Sequence, residues 1–124
     1  MLNIFNVSLI YLKERYKMTD KEQKERLISV RKTLIERLKT EYLDLCEKAE
    51  RLDIFLHQAR LPDSEQYKEI RKTLPRNDYS YLDHMDEQLQ AMNKYAEHLA
   101  YRIQELNDEN ERDMKEDEWL QQKR

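Results

Sequence analysis

The chain has 124 residues and a formal net charge of −3; 40% of its residues are charged and 39% apolar, and it holds no glycine, two prolines and one cysteine. One domain is the most this length accommodates, and glycine is about 7% of an average chain, so its absence excludes phosphate-cradling loops, dinucleotide fingerprints and nucleophile elbows. Tight I′ hairpins are excluded on the same ground, while the abundant Leu, Glu, Lys, Gln, Arg and Met are strong helix formers, so composition predicts an all-α protein.

Residues 1–17, MLNIFNVSLIYLKERYK, are the most apolar stretch. They lack a basic leader and a small-residue cleavage site and are too short to span a bilayer. They read either as an amphipathic N-terminal arm packing on another chain or as an extension upstream of a start at Met18. From Thr19 or Asp20, which can cap, a long helix meets no breaker until Pro62. Its apolar positions are Leu27, Val30, Leu34, Leu38, Leu45, Leu52 and Phe55. The seven-residue spacing of Leu38, Leu45 and Leu52 marks a seam that faces another helix. The alternate seam series reads Leu34, Glu41, Lys48, Phe55, and its two charged members point to solvent or to something polar.

Pro62 pushes its predecessor out of the helical region, so the first helix is expected to end near Arg60. Asp63 or Ser64 then caps a short helix to about Leu74, with Tyr67, Ile70 and Leu74 on one face. After the Pro75 turn, Ser80 or Asp83 starts a third helix. Its stripe is Met85, Leu89, Met92, Ala96, Leu99, Ile103 and Leu106, in alternating steps of four and three. Residues 18–107 therefore form a helical domain. Residues 108–124 form a charged C-terminal extension, expected to fray in solvent. The architecture expected is two long antiparallel helices with a short connecting helix. Stripes longer than a chain this small can cover predict a homo-oligomer.

Little of the chain suits catalysis. The lone Cys46 forms no intrachain disulfide, which fits a reducing cytosol, and it reads as a small buried hydrophobe. His57, His84 and His98 lack metal-ligand spacing, so no metal and no cofactor are expected. Acidic pairs such as Asp86/Glu87 lie in solvated charge runs rather than dry pockets. Charge is uneven, with 12 basic and 9 acidic residues between Lys13 and Arg51, and 4 basic and 8 acidic between Gln104 and Arg124. With net negative charge, no DNA or RNA polymer is an expected partner. One column stands out: Gln88, Tyr95 and Arg102, seven apart on the third helix. It combines an amide, a ring with a hydroxyl and a planar cation, and Glu41, Lys48 and Arg51 of the first helix are expected opposite. The same column also reads as a snorkelling rim around a core stripe.

Two runs taken together resemble a family of small helical bacteriophage proteins that includes crAss-like phage proteins and the phage anti-CBASS cyclic-nucleotide sponges. The first run is Arg37-Leu38, Glu41, Asp44-Leu45, Lys48, Arg51-Leu52, Phe55-Leu56. The second is Met85, Gln88-Leu89, Met92, Tyr95, Leu99, Arg102-Ile103. The resemblance implies a non-enzyme that assembles as an oligomer, a hexamer in the sponges, and sequesters cyclic di- or trinucleotide immune signals uncleaved in the cytoplasm of the infected host. Carried over by position, it implies ligand contacts from Lys48, Arg51 and Arg102, with Tyr95 stacking or shaping the pocket. Leu34 stands where the family's first run usually opens with a tyrosine, so Tyr42 or Tyr16 would have to supply that ring. The segment from Gln58 to His84 is longer than the family needs and brings Tyr67, Tyr79 and Tyr81. Its rings either rebuild a stacking surface or cover the core. The competing reading is a helical assembly or adaptor protein that binds a protein partner.

Overall fold

The computed structural model describes residues 19–62 and 64–122. The expectations placed on residues 1–17, Met18 and Asp63 lie outside them. The described residues form three helices and no strand: α1 (Asp20–Ala59), α2 (Glu65–Thr73) and α3 (Asp78–Gln122).

Local chemistry sets each boundary. Thr19 caps α1, its Oγ1 accepting from the Glu22 N–H at 3.2 Å, and Asp20 and Glu22 place negative charge on the helix's positive end. α1 closes with Arg60 N–H on the His57 carbonyl and Leu61 N–H on the Gln58 carbonyl, just before Pro62. Ser64 caps α2 by accepting from the Tyr67 N–H at 2.9 Å. Leu74, forced into an extended conformation by Pro75, ends it. α3 begins earlier than Ser80 or Asp83. Asn77 is its cap, accepting from the Ser80 N–H through its side chain and from the Tyr81 N–H through its carbonyl.

Contacts group the chain into two compact units. The hairpin unit is Thr40–Ala100. Its core is Leu56, Ala59 and Leu82, ringed by Leu52, Phe55, Ile70, Leu74, Met85 and Leu89. Ala49, Ala96 and Leu99 are buried in the same unit. Its cross-helix bonds, Glu41 to Tyr95 and Arg60 to Asp86, rise along α1 as they fall along α3, so the two run antiparallel here.

The terminal unit joins residues 19–39 to residues 101–122. Ile35 and Leu38 are buried in it, and Leu34, Ile103 and Leu106 are half-buried. Beyond Asn107, where the sequence predicts fraying, α3 continues as helix to Gln122. Asn110, only 5% exposed, donates to the Ile28 carbonyl at 3.3 Å. Arg31 reaches the Asn110 Oδ1 at 3.3 Å and Asp113 at 2.5 Å, and Lys24 meets Glu116 at 3.1 Å. Polar residues that look solvated in the sequence are anchored here by polar residues of α1.

The α1 seam also differs from its sequence reading. The alternate series is Ile35, Tyr42, Ala49 and Leu56: Tyr42 is half-buried and the other three are buried. Glu41 and Lys48 lie one residue earlier, 100° around the helix, on an exposed rim beside the seam.

Candidate functional site

The α1 rim carries Glu41, Asp44, Lys48 and Arg51, in steps of three and four that keep them on one face. All four are exposed. Each cation is tied to a carboxylate one turn before it. Lys48 meets Asp44 at 3.2 Å, with 62% and 63% of the side chains exposed, and Arg51 pairs with Glu47. Exposed pairs of this kind contribute only about 0.2–1 kcal/mol. An incoming anion can therefore replace the carboxylate at small cost.

The α3 side of the hairpin unit supplies Tyr95, whose hydroxyl donates to the Glu41 carboxylate oxygen Oε1 while 44% of the residue stays exposed. The expected juxtaposition of Glu41 with the Gln88–Tyr95 column is present. One heptad further along each helix, the same antiparallel register sets Lys48 level with Gln88, itself exposed. Arg102 belongs to the terminal unit and is exposed on α3. The hairpin unit thus brings together the elements bearing Lys48, Arg51 and Tyr95.

Sequence reasoning gave no role to Arg71. Its guanidinium lies 4.9 Å from the Tyr67 ring centroid and 5.5 Å from that of Tyr79, and it pairs with Asp78. The hydrogen bond to Tyr67, then the one to Asp78, raises its pKa further above the ordinary arginine value. Arg71 thus links α2 to the start of α3 through Tyr79 and Asp78, while Tyr67 lies against it within α2. Arg60 and Asp86 make a second clasp in this unit. Hydrogen bonding to Arg60 holds the Asp86 carboxyl below its ordinary value, and the same bond raises Arg60.

Tyr42 is one of the two rings expected to stand in for the one missing at Leu34. It is half-buried in the seam, and its hydrogen bond with Cys46 raises its pKa. Tyr16 lies outside the described residues. Cys46 is half-buried rather than fully enclosed. Among the described residues no three His, Cys, Asp or Glu side chains converge as metal ligands, and no helix is long and apolar enough to cross a membrane.

A family model described as Sequestin matches residues 32–105. The match takes in α1 from Lys32 to its end, all of α2, and α3 as far as Glu105, so Lys48, Arg51, Tyr95 and Arg102 all fall inside it. No curated protein and no solved structure matches the chain.

Proposed function

The chain belongs to the Sequestin family, and from that membership we propose that it binds and sequesters a cyclic oligonucleotide immune signal without cleaving it, as a phage anti-defence protein acting in the cytoplasm of the infected host. The observation that carries this reading is the family match itself: its name describes a sequestering protein, and its span encloses the charged rim and Tyr95.

The chemistry of the rim supports the choice of ligand. A cyclic di- or trinucleotide presents two or three phosphate charges and as many stacking faces. Lys48 and Arg51 are cations held only by exposed pairs, Arg102 adds a planar cation, and Tyr95 offers a partly exposed ring. Charge-assisted hydrogen bonds contribute about 1.5–3 kcal/mol each and stacking about 1–3 kcal/mol per base. A few of each, doubled by symmetry where copies meet, reach the roughly −12 kcal/mol of nanomolar binding after association costs. Leu45, Leu52 and Met92 remain half-buried in a single chain, which is the state a homo-oligomer, hexameric in the sponges this sequence resembles, would complete. The role is non-enzymatic and needs no cofactor: the ligand is held, and its removal from the immune effector is the effect.

The test is native mass spectrometry of the full chain with and without a mixture of cyclic di- and trinucleotides. The expected result is a homo-oligomer carrying intact ligand that is released unaltered on heating. A bare chain with every ligand tried, or a linearised product, would overturn the reading. Leu43 and Ile54, exposed three helical turns apart on α1, favour the adaptor alternative, in which a protein partner is captured and Arg102→Ala changes nothing.

A further inference from the structure

The terminal unit pairs two helix segments of opposite charge. Residues 19–39 carry seven basic and four acidic side chains, and residues 101–122 carry three basic and eight acidic. Between them lies Asn110, at 5% exposed the one polar side chain buried among the described residues. Its amide donates to the Ile28 carbonyl, and its Oδ1 accepts from Arg31, which also pairs with Asp113. Arg31 and Asp113 expose 12% and 15% of their side chains. No buried side-chain nitrogen or oxygen among the described residues lacks a hydrogen-bond partner.

Stability alone does not account for such a cluster. An enclosed ion pair loses much of its Coulomb energy to desolvation, and well-packed apolar residues in its place are often neutral or stabilising. The rest of this seam is aliphatic: Ile35 and Leu38 are buried, and Leu27, Leu34, Ile103 and Leu106 are half-buried. Aliphatic burial is non-directional. By itself it leaves α1 open to pairing with the α1 of a second copy, or α3 with another α3. The polar cluster tells these pairings apart. Against another α1, Arg31 enters a segment dominated by cations; against another α3, Asp113 enters one dominated by carboxylates. We infer that Arg31, Asn110 and Asp113 form a pairing selector, which commits the start of α1 to the end of α3 and bars like-with-like pairing between copies. A polar residue in a coiled-coil seam sets register and oligomer state in the same way, at a cost in stability.

Three full-length chains test this: wild type, Asp113→Leu, and a triple variant combining Arg31→Met, Asn110→Leu and Asp113→Leu. Asp113→Leu, which strands the guanidinium, is expected to melt about 5 °C or more below wild type. The triple variant is expected to melt at or above the wild-type temperature. Native mass spectrometry is then expected to show one assembly for wild type and a mixture of masses for the triple variant. A folded triple variant with the wild-type mass alone would overturn the inference. A triple variant that melts below wild type or fails to fold would do so too, since the cluster would then be a source of stability rather than of choice. So would an Asp113→Leu chain as stable as wild type.

Discussion

Asn110 donates its side-chain amide to the Ile28 carbonyl and accepts from Arg31, which also holds Asp113 at 2.5 Å. Arg31 and Asp113 expose only 12% and 15% of their side chains. Such enclosed polar groups fix the register of a helix pair because any slip leaves them without partners.

Removing one partner from this network should therefore cost more than a surface pair does. Asp113→Ala is expected to lower stability by about 1–3 kcal/mol, the price of leaving a shielded guanidinium without its carboxylate. Lys48→Ala, on the exposed rim, is expected to change it by less than about 1 kcal/mol. Urea unfolding followed by circular dichroism compares the two, and equal midpoints would refute the contrast.

Leu99 has no exposure. Leu99→Ala should cost about 2–5 kcal/mol through lost transfer energy and a residual cavity, whereas Leu43→Ala, at 66% exposed, should stay within about 0.5 kcal/mol. Thermal melts of both variants at one protein concentration check this, since the midpoint of any self-associating chain depends on concentration.

The Arg60–Asp86 clasp predicts a pH signature. Asp86 is held below its ordinary value of 3.8, so the folded state favours the carboxylate. The contribution is fully present above that ordinary value and is lost as pH falls through the lower folded value. Asp86→Asn should flatten stability against pH only in that acid window and leave the neutral-to-alkaline profile parallel to wild type. Melting curves from pH 2 to pH 7 read it, and a difference confined to neutral pH would contradict the assignment.

Arg71 stacks on Tyr67 and Tyr79 as well as pairing with Asp78. Arg71→Lys should keep the ion pair but lose the planar stacking surface, and so loosen α2. Hydrogen exchange should show the α2 amides opening faster in that variant, with those of α1 near Ala49 unaffected. Uniform acceleration across both helices would place the clasp elsewhere.

Helix identity and most boundaries were legible because breakers and caps are local: Thr19, Pro62, Ser64 and Pro75 act on neighbouring backbone. Leu82 was missed for a linked reason. Without Asn77 as the cap, the sequence places the start of α3 at Ser80 or Asp83 and opens its stripe at Met85, which leaves Leu82 out. The choice between the Leu34–Glu41–Lys48–Phe55 and Ile35–Tyr42–Ala49–Leu56 series was not legible, since Leu34 and Ile35 are equally apolar. Ala49 is buried in the seam, and alanine carries little signal in a hydrophobic pattern. Glu41 opposite Tyr95 followed from heptad arithmetic. The anchoring of Asn110 and Asp113 did not, because a charged run in sequence does not announce a half-buried arginine 79 and 82 residues before them.

The pairing of Lys48 with Asp44 and of Arg51 with Glu47 bears on what the rim turns away. A long polyphosphate such as transfer RNA binds basic surfaces largely by shedding its condensed cations. Here a phosphate that docked would displace an aspartate or glutamate at small cost, and the displaced acids would then crowd the next phosphate along the strand. Crowding of that kind grows with the number of neighbouring phosphates, so a long strand meets more of it than a small anion does.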